Sequence, residues 1–228
     1  MCGLFDSPLL TITFRLRSTI LDIYCTKIEY DADISALYYL LPEKKAYLDL
    51  TKNSAKGIVY AYALLAFALY KNHGVSPPVT LGYTEYNKPY FTDREDIRFS
   101  ISHTDTHCLC ALSNQPLGVD IQTKRPVRSS LIRRVLAENE DPKHFFSYWV
   151  LKESYIKLIG RMDRPLCDMK FSITGDSAAF NNTHSYIFNE IPDCRAAVCA
   201  ADYFEKPELR NVDLAHLLSF AADNNKNT

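Results

Sequence analysis

The chain has no surplus of charge of either sign. Its 26 lysines and arginines stand against 27 aspartates and glutamates, a formal charge of -1. That balance argues against generic nucleic-acid binding by an overall basic surface, so electrostatic function must come from local clusters. Long hydrophobic runs are missing as well: the longest, Ile58–Tyr70, lies between Lys56 and Lys71 and is too short to span a bilayer. The opening residues, MCGLFDSPLLTITFRLRS, contain no basic n-region followed by an unbroken apolar stretch, so no secretory signal is expected. The seven cysteines are odd in number and follow no framework spacing, which fits a reducing, cytoplasmic compartment better than a disulfide scaffold. His103, His107, Cys108 and Cys110 lie close together, but the two cysteines sit in an apolar strand without the CxxC knuckle of a zinc site.

With 228 residues, 47% of them hydrophobic, the chain can bury a substantial core as one domain or as two lobes of about 110 residues each. The single tryptophan, Trp149, falls within YWVLKESYIKLIG, residues 148–160, which reads as one helix with Gly160 as its C-terminal stop. At 3.6 residues per turn Trp149, Glu153 and Lys157 share one stripe, beside Lys152 and Ile156. Taken alone, that stripe is most simply a solvated Glu–Lys pair worth about 0.2–0.5 kcal/mol, with Trp149 as a core anchor. The rest of the chain changes its weight.

A strand is expected over Ile20–Ile28, and a helical stretch over Ile34–Leu41 that Pro42 interrupts. A locally basic segment with Lys44, Lys45, Lys52 and Lys56 precedes a helix running from about Ser54, as N-cap, to a Gly74 stop. This helix is apolar nearly all round and must be buried. In the loop NKPYFTDRED, Pro89 fixes the backbone directly after Lys88. IRFSIS reads as a strand, followed by a turn at His103–His107 and a second strand at Cys108–Leu112. Asn114, Gln115 and Pro116 mark the expected lobe boundary, giving residues 1–114 and 115–228. In the third strand, Leu117–Gln122, the residues Leu117, Val119 and Ile121 share one face. Gly118, Asp120 and Gln122 share the other, which places Asp120 and Gln122 about 6.5 Å apart along the strand. Between Lys124 and Arg134 every charged residue is basic. Helix, glycine stop, loop and a Phe-Ser-Ile strand occur twice, at LYKNHG with RFSIS and at IKLIG with KFSIT, which suggests two related α+β lobes with a cleft between them.

Two constellations carry chemistry. Asp120 and Glu153 are carboxylates that could meet over one hard cation such as Mg²⁺, which takes one or two protein carboxylates plus water and phosphate oxygens. Lys44, Lys56, Lys88, His103 and Lys157 suit a ligand with several phosphates.

GVDIQ at 118–122 and WVLKESYIK at 149–157 resemble the paired G-[IV]-D and W-x-x-K-E-x-x-x-K motifs of the 4′-phosphopantetheinyl transferases, of the type that activates nonribosomal peptide and polyketide synthases. PEK at 42–44, Lys56, NKP at 87–89, FSISH at 99–103 and AAVCAA at 196–201 follow in the family's order. The resemblance implies an α+β pseudo-dimer of two similar lobes, monomeric, with coenzyme A in the cleft between them. It implies transfer of the 4′-phosphopantetheine arm to a serine hydroxyl of an acyl or peptidyl carrier protein, with release of 3′,5′-ADP. Asp120 and Glu153 would hold Mg²⁺. Lys44, Lys56, Lys88, Pro89, Ser102 and His103 would contact coenzyme A, and Lys157 would lie beside the pyrophosphate. Glu153, or a water oriented by it, would take the serine proton. Relatives often carry a third carboxylate where this chain has Gln122, so direct metal ligation by Gln122 stays open. A non-catalytic module binding coenzyme A or a nucleotide is the alternative from another class.

Overall fold

The computed structural model describes residues 20–42 and 52–225. In chain order the elements are β1 (Leu21–Lys27), α1 (Asn53–His73), β2 (Leu81–Tyr83), β3 (Pro89–Phe91), β4 (Arg98–His103), β5 (His107–Ser113) and β6 (Leu117–Thr123). There follow α2 (Ser129–Val135), α3 (Phe145–Ile159), β7 (Ser172–Thr174), β8 (Ser177–Phe180), β9 (Thr183–Phe188), β10 (Cys194–Ala200), β11 (Leu209–Asn211) and α4 (Leu214–Asn225). The fold is α+β. One sheet has the order β11-β1-β5-β4 and the other β6-β10-β9-β8-β7, while β2 and β3 pair separately. Neighbouring strands are antiparallel except β11, which runs parallel to β1.

Strand alternation builds the layers. In the first sheet Tyr24, Cys108, Cys110 and Leu112 face α1. Their neighbours Ile23, Cys25, Leu109 and Ala111 meet Leu117, Val119, Ile121 and Val198 of the second sheet. The outer face of that sheet, with Ile187, Ala197 and Cys199, takes Val150, Leu151 and Tyr155 of α3. The order is helix, sheet, sheet, helix. The all-round apolar character of α1 follows from its position, because the first sheet covers one side while α4 and the turn at Ser35–Leu40 close on others. Its N-cap is Lys52 rather than Ser54, and Gly74 ends it in the left-handed conformation at φ 66°.

The helix expected at 148–160 begins earlier, at Phe145. Asp141 accepts a hydrogen bond from the Lys143 amide and starts a 3-10 turn over Pro142–His144 that runs straight into α3. Gly160, at φ 83°, stops it as expected.

One course of elements occurs twice: strand, helix, short hairpin, then two strands that pair back. The first is β1, α1, β2–β3, β4, β5 with pairing β1-β5-β4; the second is β6, α3, β7–β8, β9, β10 with pairing β6-β10-β9. The Phe-Ser-Ile strings do not mark that correspondence. One lies on β4, whose counterpart by pairing is β9, whereas the other leads into β7 at a sheet edge. The chain passes from the first sheet to the second between β5 and β6, then returns at its end. Leu209 lies opposite Ile23 in the ladder, and Leu217, Phe220 and Ala221 join the core around α1.

Candidate active site

Gly118 sets the geometry of the site. It is on the α3-facing side of β6, where a Cβ would collide with the Ser154 carbonyl and the Leu158 amide, so only glycine lets the helix lie this close to the strand. Two residues along the same face, Asp120 then falls beneath the Glu153–Lys157 turn of α3. The predicted alternation of β6 and the predicted stripe of α3 meet here.

Asp120 is 3% exposed. Its Oδ1 accepts from Lys157 Nζ at 2.8 Å and from Ser102 Oγ at 2.9 Å, and Lys157 Nζ also donates to Ser102 Oγ at 2.7 Å. Oδ2 accepts from Gln122 Nε2 at 2.9 Å. Ser102 comes from β4, as does Ser100, whose Oγ accepts from the Val119 amide at 3.0 Å. These bonds join the first sheet to β6 at the site. Glu153 is half-buried, and its carboxyl is held above the usual range by burial and then by the negative charge of Asp120; Lys157 and a hydrogen bond from Trp149 oppose that rise.

Asp120 and Glu153 are thus two carboxylates that influence each other electrostatically, with one ammonium, Lys157, bonded to Asp120 and acting on Glu153 through its charge. One negative charge remains, and the donor set suits a hard divalent cation that fills its other positions with water or phosphate oxygens. Gln122 directs its amide nitrogen at Asp120 and is a donor to the carboxylate in this arrangement. Among the described residues no cluster of three His, Cys, Asp or Glu side chains could hold a metal ion. The histidine–cysteine grouping does not assemble: Cys108 and Cys110 are buried in the core around α1, and His107 Nδ1 lies 3.0 Å from Thr106 Oγ1.

The residues expected to contact a phosphorylated ligand fall in two places. Lys88, Pro89, Ile101, Lys157 and Gly160 line a cleft of about 270 Å³. The Lys88 ammonium reaches across it to the Leu158 carbonyl at 2.9 Å and the Leu117 carbonyl at 3.4 Å; burial first, and the nearby Arg98 second, lower its pKa to about 8. His103, at the end of β4, rests its ring against Gly57 of α1, where desolvation favours its neutral form. Next to that contact Lys56 donates to the Tyr30 carbonyl. Lys44 lies outside the described residues.

Sequence reasoning missed Lys152 and Glu140. Lys152 is fully buried, and its Nζ donates to Glu140 Oε2 at 2.5 Å and to the Val135 carbonyl at 2.7 Å. Phe145, Tyr148, Lys152 and Tyr155 follow helical spacing on one face. A lysine within an otherwise aromatic stripe was the available signal that a carboxylate must come to it from elsewhere.

No family model matches the chain. It is similar to a 4′-phosphopantetheinyl transferase of Bacillus subtilis, 28% identical over 184 residues that make up 71% of this chain and 82% of the relative. It is 32% identical over 136 residues to the 4′-phosphopantetheinyl transferase Sfp of Bacillus subtilis strain 168, covering 51% of this chain and 61% of Sfp. With the 4′-phosphopantetheinyl transferase gsp of Aneurinibacillus migulanus it shares 40% identity over 88 residues, covering 34% of this chain and 36% of the relative. The matches thus span from about four-fifths to about one-third of the relatives' lengths.

Proposed function

We propose that this chain, which belongs to the 4′-phosphopantetheinyl transferase superfamily, transfers the 4′-phosphopantetheine arm of coenzyme A to a serine hydroxyl of an apo carrier protein and releases 3′,5′-ADP. The observation that carries the reading is the meeting of Asp120, Glu153 and Lys157 at the edge of a cleft between β4 and α3. In this reading the chain acts in the cytoplasm as a monomer, a pseudo-dimer whose lobes divide at 114/115, with the last strand and helix returning to the first lobe.

Mg²⁺, held by Asp120 and Glu153, would supply positive charge to the pyrophosphate of coenzyme A. The chain's own residues do the rest. The serine Oγ forms a bond to the phosphorus that bears the pantetheine arm, the bond from that phosphorus to the leaving 3′,5′-ADP oxygen breaks, and the serine proton passes to Glu153. A carboxylate beside the attacking hydroxyl can accept that proton as the new bond forms. Lys157, which lines the cleft, donates in this reading to the departing phosphate, while Asp120, Ser102 and Gln122 hold it and one another in register. Lys44, Lys56, Lys88, Pro89, Ser102 and His103 are assigned to coenzyme A, with Lys88 acting in part through the carbonyls it bridges.

The carrier is assigned to the basic side of the second lobe. Lys124, Arg125, Arg128, Arg133 and Arg134 are all exposed, and Arg133 and Arg134 line a groove of about 750 Å³ that also contains Trp149 and Glu153. An acidic carrier surface would be steered there, with screening over about 8 Å at physiological salt. Reversing Arg128 and Arg133 to Glu should raise KM for the carrier and weaken its salt dependence while leaving KM for coenzyme A unchanged. A rise in both, or in the coenzyme A value alone, would move this stretch to the nucleotide site or to the fold.

Incubation with coenzyme A, Mg²⁺ and an apo acyl or peptidyl carrier domain, followed by intact-mass measurement, tests the central claim. The expected result is a gain of one phosphopantetheine on the carrier serine. Binding of coenzyme A without that gain on any of a range of carriers would favour the non-catalytic module.

A further inference from the structure

The transfer reading leaves one buried ionic group unused. Lys152 immediately precedes Glu153, yet it points into the protein, where its ammonium donates to Glu140 Oε2 at 2.5 Å and to the Val135 carbonyl at 2.7 Å. Val135 is the last residue of α2, so this carbonyl is one that the helix leaves open at its C-terminus. Glu140 Oε2 also accepts from the Ala137 amide at 2.9 Å. One lysine and one carboxylate therefore stitch the end of α2 and the first part of the α2–α3 connection, residues 135–140, to the middle of α3.

The other support of α2 is apolar, from Leu131 and Ile132 half-buried against a cluster that also includes Trp149 and Leu166. The helix has seven residues, of which only Val135 is buried, and the apolar cluster beneath it has just three buried members, Val135, Leu136 and Phe145. Both elements that this pair connects line the large groove, α2 with Arg133 and Arg134 and α3 with Trp149 and Glu153, and residues 162–167 complete it.

We propose that the Lys152–Glu140 pair is a positioning device that fixes the arginines of α2 at a set spacing from Glu153 and so determines how a carrier protein presents its serine to that carboxylate. The inference rests on the transfer reading and on carrier docking along α2. Lys152 and Glu140 touch neither the reacting atoms nor coenzyme A; they act through α2.

The test must separate positioning from plain stability. Replacing both partners by apolar residues of similar size, Lys152→Met with Glu140→Leu, removes the link without leaving a buried charge unpaired, a change that folded proteins often tolerate. Steady-state kinetics of this double variant should show KM for the carrier raised about tenfold with a flatter dependence on salt, and KM for coenzyme A unchanged. Glu140→Asp, which keeps the charge but retracts it by one methylene, should give the same pattern in smaller measure, and it decides the matter if the double variant does not fold. An unchanged carrier KM, or a parallel rise in both KM values, overturns the proposal by reducing the pair to support of the fold. The Arg128 and Arg133 reversal separates the two failures. If it leaves carrier KM unaltered, the docking assignment is wrong; if it acts while the Lys152 and Glu140 variants do not, only the positioning role falls.

Discussion

Helix α3 carries two lysine–carboxylate pairs, five residues apart, that differ most in burial. In Lys152–Glu140 the side chains are 0% and 3% exposed; in Lys157–Asp120 they are 30% and 4% exposed. The sealed pair has no exchange partner. Its lysine is held by the Val135 carbonyl and lies 5.6 Å from the Tyr148 ring, and water cannot stand in for either ion. The other pair opens onto the cleft through Lys157, and its carboxylate keeps two further donors, Ser102 and Gln122. Burial thus divides two ammonium–carboxylate pairs of the same charge type, one sealed in the interior and the other open to the cleft.

The sharpest break of this comparison is Lys152→Met. It strands Glu140 in the interior and should lower stability by about 3–5 kcal/mol, as breaking one side of a buried pair does. Lys157→Met should cost clearly less, because its site is partly solvated. Urea denaturation of both variants measures the difference, and equal losses would show that burial does not separate the pairs.

Next in size is the effect on turnover. Asp120→Ala and Glu153→Ala should each reduce transfer at least about a hundredfold, the loss of several kcal/mol of transition-state stabilisation, with the fold retained by circular dichroism. Near-normal turnover at saturating Mg²⁺ would remove both residues from the metal.

A smaller change is expected at Gln122. Its amide now donates to Asp120, whereas Gln122→Glu places a like charge there that only a cation can relieve. The variant should be less stable without Mg²⁺, regain stability when Mg²⁺ is added, and reach half-maximal activity at a lower Mg²⁺ concentration. An activity titration that is unchanged or displaced upward would put residue 122 outside the metal's surroundings.

The smallest effect concerns a third lysine at the same helix, Lys88, whose pKa is lowered from 10.5 to about 8. Between those values the folded chain binds fewer protons at this group than the unfolded chain does. Its contribution to stability therefore rises with pH from about 8 towards 10.5. Lys88→Met should remove that rise, seen as a loss of part of the parent's melting-temperature gain, or an added decline, over this window. Parallel melting curves at every pH would mean that Lys88 is not desolvated in the folded chain.

Much of the site was legible from local periodicity. The alternation of residues 117–122 placed Asp120 and Gln122 on one face, and helical spacing placed Glu153 and Lys157 on one stripe. Gly74 and Gly160 marked two helix ends, because a left-handed residue after a helix favours glycine whatever surrounds it. The start of α3 was placed too late, since the Asp141 cap feeds the helix through a 3-10 turn that apolar spacing does not register. The repeated Phe-Ser-Ile string was equally local, and it fell on strands with different places in their sheets.

The sequence by itself determined which side chains share a face, because that depends on residues two, three or four apart. Only the tertiary structure decided which faces meet. Gly118 admits α3 onto β6, Ser102 comes across from the other sheet to Asp120, Glu140 arrives beneath Lys152, and Leu209 returns to β1. Each of these partnerships depends on how sheets and helices stack once their apolar faces are buried, and burial is indifferent to distance along the chain. That is why the sequence presented Lys152 and Lys157 as similar members of one motif, while the packed protein sealed one and left the other open to the cleft.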